Sequence, residues 1–429
     1  MGATGMNEVP HLGFVGTGWI GRHRMEAILA SGWADAAAIL EPDPRALELA
    51  RALAPGARVM PSLDALLQLP LDGMVIATPS ALHAQQSIAA LEAGMAVFCQ
   101  KPLGRNAAEV RAVVDAARKA DRLLGVDFSY RHTAAVQALR RTIESGALGQ
   151  IYFADLVFHN AYGPDKPWFF DPAQSGGGCL MDLGVHLVDL ALWLLGFPEV
   201  EHVSARTRLG GAALLEPECE DFATAELDLA GGTTVRIACS WHLHAGRDAV
   251  IEATLQGTGG GVSMRNVGGS FYDFEAHLWR GTASELLAAP PDAWGGRAAL
   301  QWTKQLARGG QFDRGAHELV QIAEVIDIPR QQVENVMSTA TTTTDHDKIR
   351  RWIEERGGRP SRVADSTRGG EGGGILRVDF QDKDEGLEEL DWSEFFRIFD
   401  ENDLAFLHQD RTEDGGKSRF NKFVDRNDQ

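Results

Sequence analysis

The fold is decided by Leu12–Gly21, LGFVGTGWIG. An apolar run from Leu12 to Val15 leads straight into Gly16-Thr17-Gly18-Trp19-Ile20-Gly21, a GxGxxG turn between a strand and a helix. In such a turn Gly16 permits the tight reversal, Gly18 lets the backbone approach a pyrophosphate, and Gly21 lets helix and strand pack closely. The helix expected over Arg22–Ala30 offers unpaired N–H groups and the positive end of its dipole to phosphate. A lone GxGxxG is weak, and the bland alternative is an ordinary strand–turn–helix. Here a second apolar run, Ala36–Leu40, ends at Glu41. That is about 20 residues past the last glycine, where an acidic side chain reaches ribose hydroxyls. A carboxylate at Glu41 would repel a 2′-phosphate, which favours NAD over NADP; Arg45 is the nearby group that would tolerate one.

Working outward, the pattern repeats. Helices are expected at Arg45–Leu53, Ala65–Leu69, Ser80–Gly94 and Asn106–Ala120. Strands are expected at Gly73–Ala77, Met95–Cys99 and Leu123–Val126. Short apolar strands alternating with amphipathic helices specify a doubly wound α/β parallel sheet, a Rossmann domain over 10–130. Ligands of such a sheet collect at the carboxyl ends of its strands, where Glu41, Thr78-Pro79 and Lys101 all fall. Beyond Gly149 the character changes. Ile151–His159, Glu201–Leu209, Phe222–Leu229, Thr233–Trp241, Ala249–Gln256 and Gly261–Phe274 read as mostly alternating strands, with a Gly231-Gly232 hairpin. This predicts an α+β domain over 131–327 with a large, mostly antiparallel open sheet. One helix lies inside it, Cys179–Leu195, introduced by three glycines.

At 429 residues the chain is too long for one core. Its net charge of −19 argues against nucleic acid or an anionic membrane as partner. The four cysteines, Cys99, Cys179, Cys219 and Cys239, lack metal-ligand spacing and read as reduced, buried thiols; no metal site is expected. No signal segment and no run long enough to span a bilayer are read, so a cytoplasmic protein is expected.

Lys101 closes a buried strand next to a proline, where a lysine is either a solvated cap or an active-site ammonium. Asp182 and His186 stand four apart on the glycine-introduced helix. That spacing would put them on one face, the carboxylate orienting the imidazole for acid–base work. The alternative is a surface ion pair at the margin of an apolar stripe. Trp168, His159, Asn160 and His242 are candidates to line a pocket.

Residues 10 to about 327 resemble the glucose–fructose oxidoreductase and inositol dehydrogenase family (Gfo/Idh/MocA). The resemblance is carried by GTGWIG (16–21), DGMVIATPSALHAQQSIAALEAGMAVFCQKPLG (72–104), SYR (129–131), ESGALGQI (144–151) and GGGCLMDLGVHLVDLALWLLG (176–196). It implies a Rossmann domain and a second domain whose sheet builds a homo-oligomer. It also implies NAD(P)-dependent oxidation or reduction at a hydroxyl-bearing carbon of a small polyhydroxylated substrate, a sugar or cyclitol. Lys101 matches the lysine that holds the reacting hydroxyl, in a cis Lys101–Pro102 element. Asp182 and His186 match the Asp and His of a DxGxH helix, the His as general base. Thr78, Pro79 and His83 match a turn near the nicotinamide, and Arg131 matches a YR element at the domain junction.

Two departures stand out. Gln100 replaces the expected glutamate, keeping size and an acceptor but removing a charge from beside Lys101. The final helix, expected to pack on the Rossmann domain, breaks off at Ile328-Pro329. Together they motivate an alternative: a cofactor-binding regulator without turnover. An NAD-recycling elimination or glycoside-cleaving enzyme is a third reading.

A linker is expected over 328–344 and a small acidic α+β domain over 345–429. Its elements are a helix at Lys348–Arg356 capped by Asp345-His346-Asp347, a strand at Ile375–Phe380, a helix at Trp392–Phe399 and a strand at Leu404–Leu407. Across 382–410 stand eleven acidic residues and two basic ones. The aromatics at 392, 395, 396 and 399 are spaced for a small core. This part is similar to small bacterial proteins of unknown function.

Overall fold

The computed structural model describes residues 9–214, 218–338, 341–363, 375–380, 386–410 and 416–426. Of the charged stretch 382–410, residues 382–385 fall outside them. The chain divides into two compact units, Met1–Gln331 and Gln332–Gln429.

In the first unit, strands β1 (His11–Val15), β2 (Asp35–Leu40), β3 (Arg58–Val59), β4 (Gly73–Ile76), β5 (Ala96–Cys99) and β6 (Leu124–Val126) form a parallel sheet of order 3-2-1-4-5-6. Strands β4 and β5 are buried along their whole length, as a sheet covered on both faces demands. Helices α1 (Trp19–Ser31), α2 (Pro44–Leu53), α3 (Leu63–Leu67), α4 (Ser80–Glu92) and α5 (Ala107–Ala120) connect them, within a few residues of expectation. Asp43, Ser62 and Asn106 cap α2, α3 and α5 with side-chain oxygens.

The chain then leaves through helix α6 (Ala134–Glu144) and builds a nine-stranded sheet from β7 (Ile151–Asn160), β8 (Val200–Leu209), β9 (Ala212–Ala213), β10 (Phe222–Leu229), β11 (Thr233–Ser240), β12 (Ala249–Gly257), β13 (Gly260–Asn266), β14 (Phe274–Arg280) and β15 (Ala283–Ala288). Its order is 15-14-13-12-7-11-10-8-9, antiparallel except where β7 meets β11. One face is buried under the segment Pro172–Leu195 (Ala154, Leu156 and Phe158 point inward). The strand expected over Gly261–Phe274 is in fact two, β13 and β14, because Val267–Asp273 reverses the chain. The expected helix over Cys179–Leu195 is also two pieces: a π-helical turn, Leu180–Gly184, and then α7 (Val185–Leu195). Pro172–Leu195 has the length and apolarity of a membrane span, contrary to the sequence expectation, but 83% of its apolar 18-residue stretch is buried inside the protein, which marks a core segment.

Two further helices were not foreseen or were misjudged. Helix α8 (Arg297–Ala307) returns to the parallel sheet, and its buried Trp302 packs on Phe98. A Cβ on Gly73 or Gly125 would stand 2.9 or 2.7 Å from that indole, so these strand glycines make room for it. The final helix does not break at Pro329: α9 runs Glu318–Ser338 with Pro329 inside it. Its first half carries the apolar periodicity that outweighs the missing N–H. Val320 joins the core of the parallel sheet, while Ile322, Val325 and Ile326 join that of the second sheet.

The second unit holds two three-stranded sheets and two helices, His346–Glu354 and Trp392–Glu401, among its described residues. The strand Thr341–Thr343 pairs with Leu404–His408, so part of the expected linker is sheet. Asp345 caps the first helix through Oδ1 and His346 stacks on Phe396, in keeping with a cap rather than a metal ligand. Phe395 and Phe399 are buried with Trp352, Ile353 and Phe406, and Trp392 and Phe396 flank them.

Arg131 and Asp189 form a bidentate ion pair beneath α7, Asp189 being 1% exposed. Replacing Arg131 with Met would leave that carboxylate buried and unpaired. Urea denaturation should then show stability lowered by roughly 3–5 kcal/mol, and an unchanged midpoint would refute the pairing.

Candidate active site

The glycine turn has the geometry that a bound pyrophosphate needs. Gly16 adopts φ +79°, and a Cβ there would lie 2.6 Å from the Ala77 carbonyl oxygen. A Cβ on Gly21 would lie 2.1 Å from the Gly16 oxygen, so only glycine lets α1 start this close to β1. Nothing lies within 4 Å of the missing Cβ of Gly18. Gly18 begins α1 with no side-chain cap, and the first turn carries no acidic residue, so its amides face open space. Glu41, at the end of β2, reaches the same turn and accepts from Thr17 N, Thr17 Oγ1 and Asp43 N. An uncapped helix terminus, an open glycine and a carboxylate beside them fit a dinucleotide.

From this turn a cavity of about 700 Å3 runs toward the second sheet. It is lined by Trp19, Ile20, Thr78, Pro79, His83, Gln100, Lys101, Asp182 and His186 among the residues picked from sequence. His83 ties two of its walls together: Nδ1 lies 2.7 Å from the Pro102 oxygen and Nε2 2.7 Å from that of Thr78. Burial pulls its pKa below the usual histidine value and outweighs the two carbonyls, which favour the protonated ring. Thr78 Oγ1 donates to Gln86. The Lys101–Pro102 peptide is cis.

Lys101 Nζ stands 2.7 Å from the main-chain oxygen of Asp182 and 2.8 Å from its Oδ1. The other carboxylate oxygen accepts from Trp241 Nε1 at 3.2 Å. Asp182 therefore orients the lysine, not the histidine. The π-helical turn between Asp182 and His186 breaks the spacing that would have paired them. His186 is buried, its Nδ1 has no hydrogen-bond partner, and its ring meets the edge of Tyr130 at 4.8 Å. Burial first, then the positive charges of Lys101 and Arg24, hold its pKa well below the ordinary histidine value. A neutral imidazole beside an ammonium is equipped to take a proton.

Gln100 is explained by its neighbour. Its amide donates to Asp127 Oδ2, which also receives Arg24 Nε. Arg24, Asp127, Tyr130 and the loop Asp292–Gly295 line the cavity and were missed in the sequence. Nothing local marks them, since the first is a helix residue and the rest arrive from strand ends and from a loop about 165 residues downstream. Of the four pocket candidates, only Trp168 lines the cavity. His159 bonds Ser240 and Asn160 organises its own turn. Arg131, expected at the cofactor, is instead engaged with Asp189 and stacks near Trp193 and Phe197.

Residues 11–128 match the family model described as oxidoreductase family, NAD-binding Rossmann fold, and residues 136–263 match the GFO/IDH/MocA C-terminal domain. The chain belongs to the GFO/IDH/MocA family. Its N-terminal domain is an NAD-binding Rossmann domain. D-glucoside 3-dehydrogenase of Escherichia coli is 27% identical over 52% of this chain and 64% of its own length. Inositol 2-dehydrogenase of Rhizobium meliloti is 28% identical over 59% of this chain and 75% of its own. The solved structure of levoglucosan dehydrogenase with NADH and levoglucosan has a TM-score of 0.65 at 23% identity, over 76% of this chain and 97% of that one, a likeness of fold.

The buried, deprotonated His186 also makes a statement about stability. Its pKa is lower folded than unfolded, so the two states bind protons equally above about 6.5 and the unfolded state binds more below it. Stability is thus lost as pH falls. In urea titrations between pH 7.5 and 5, the wild type should lose up to about 1.4 kcal/mol per pH unit more than His186→Phe; parallel curves would contradict a buried neutral imidazole.

Proposed function

We propose that the chain is an NAD-dependent dehydrogenase that moves a hydride between the nicotinamide and a hydroxyl-bearing carbon of a sugar, cyclitol or related polyol. The observation that carries this reading is the convergence, in one cavity beside the glycine turn, of the Lys101 ammonium and the neutral His186 imidazole. The names of relatives acting on glucosides and inositol support the substrate class.

Bound NAD would lie with its pyrophosphate over Gly18 and its ribose hydroxyls on Glu41, and it supplies the hydride acceptor. Lys101, fixed by the main-chain oxygen and Oδ1 of Asp182, presents its remaining N–H to the reacting hydroxyl and stabilises the alkoxide character that develops there. His186 removes the hydroxyl proton as the C–H bond breaks. Asp182 keeps the lysine aimed. The aromatic wall keeps water from the reacting carbon.

We further propose that the domain over 10–130 binds the cofactor, and that the open face of the nine-stranded sheet, where Phe153, Val157, Ala238 and Val250 point outward, joins copies into a homo-oligomer. Four buried cysteines, none in a disulfide, support a reducing, cytoplasmic setting.

With NAD and a panel of glycosides and cyclitols, NADH fluorescence should rise. His186→Ala should lower kcat/KM by about 100-fold or more, Lys101→Ala by a similar factor, and NAD affinity should stay within about threefold. Full activity in both variants, or loss of NAD binding in step with activity, would refute the roles.

A further inference from the structure

Among the polar groups of the cavity that the mechanism leaves unused is the phenol of Tyr130. The ring of Tyr130 is buried, the whole residue being 8% exposed, and it is clamped by four aromatic neighbours: Phe158, His186, Phe274 and Trp294. The contacts with Phe158, His186 and Phe274 meet edge to face and that with Trp294 is tilted, at centroid distances of 4.8 to 5.9 Å. A tyrosine so held has one rotamer. Tyr130 nevertheless lines the cavity, and its phenol oxygen takes no hydrogen bond from any described residue, nor is it among the sealed-off orphan atoms. A hydroxyl that folding has desolvated over its whole ring, fixed in place and left open at its tip, is a group kept for a ligand.

We propose that Tyr130 is a substrate-positioning residue whose phenol hydroxyl bonds a second hydroxyl of the polyol, beside the one held by Lys101 and His186. This rests on the dehydrogenase reading above and deepens it, since it requires a substrate with at least two neighbouring hydroxyls. Burial, reinforced by the Asp182 carboxylate, raises the phenol's pKa, so the group stays a donor through the working range. The direction of the bond follows: O–H of Tyr130 to a substrate oxygen. Three groups of different chemistry then define the ring's placement: an ammonium, an imidazole and a neutral hydroxyl. Misplacement of the ring by a lost third contact affects binding first, because the proton and hydride partners are untouched.

The test is Tyr130→Phe in the full chain, which keeps all four ring contacts and removes only the oxygen. Two readouts are taken with methyl α-D-glucopyranoside, myo-inositol and a simple secondary alcohol as probes: NADH formation, and the melting-temperature shift that each probe gives the NADH-bound protein. The expected result is a KM for the polyols raised about 10-fold or more, kcat within about threefold and NADH affinity unchanged. The melting shift by polyols should be lost, with no change in the unliganded melting temperature and no effect on the simple alcohol. Unchanged polyol KM in the variant overturns the proposal and leaves the dehydrogenase reading standing. A Tyr130-dependent melting shift without turnover by the wild type overturns the dehydrogenase reading and leaves the positioning role. Neither turnover nor shift with any polyol overturns both, and a lowered unliganded melting temperature with weakened NADH binding assigns Tyr130 to the scaffold instead.

Discussion

The site depends on a single junction, the bond of Lys101 to Asp182. The lysine stands at the carboxyl end of β5 in the parallel sheet, and Asp182 stands in the π-helical turn that lies against the second sheet. Nζ is held twice by the same residue, through main-chain oxygen and carboxylate, and the second carboxylate oxygen is taken by Trp241 from beyond β11. An ammonium held by two acceptors has one proton direction left, and that direction faces the cavity. The two carboxylate oxygens are turned to the lysine and the indole, and neither meets Nδ1 of the imidazole. The consequence is an arrangement different from the one that i, i+4 spacing suggests: the acid aims the cation, and the histidine, the base of the proposed mechanism, is left without a partner on Nδ1.

That base is tuned by what surrounds it rather than by a bond. Burial removes water from the imidazolium, and Lys101 and Arg24 add like charge, so all three effects act in one direction. The same positive pair is what a developing alkoxide would require. In the proposed mechanism one field therefore keeps the base neutral and meets negative charge in the transition state.

How much of this could be read in the chain follows from how local each element is. Five of the six strands of the parallel sheet were legible because each is a short apolar run between helices of the right period, whereas the two exposed residues of β3 carry no such signal. Lys101, Asp182 and His186 were legible as candidates, but their pairing was not, since a π-helical turn has no distinct composition. Helix α8 was invisible for another reason. Its role is to cover strands nearly 200 residues upstream, and the only trace is two glycines, Gly73 and Gly125, small where a strand would carry bulk. Pro329 misled because a local breaker was weighed above a buried stripe, Val320 through Ile326, that already anchors the helix on both cores. In the second unit the spacing of Trp392, Phe395, Phe396 and Phe399 sufficed, because a small core must be built from neighbours.

Gln100 shows why a departure from a family pattern should be weighed with its contacts. A glutamate there would set a second carboxylate against Asp127, with Arg24 as the nearest cation to share. The amide instead gives Asp127 a donor, and Arg24 gives it another, so one of its oxygens accepts two N–H groups at the ends of β5 and β6. With a neutral amide at position 100, Asp127 pairs with Arg24 as one anion with one cation. Gln100 and Asp127 therefore form one hydrogen-bonded unit on the cavity wall beside Lys101. The substitution that first suggested lost turnover thus has a hydrogen-bonded partner of its own, and the two contacts that hold Lys101 on Asp182 stand beside it.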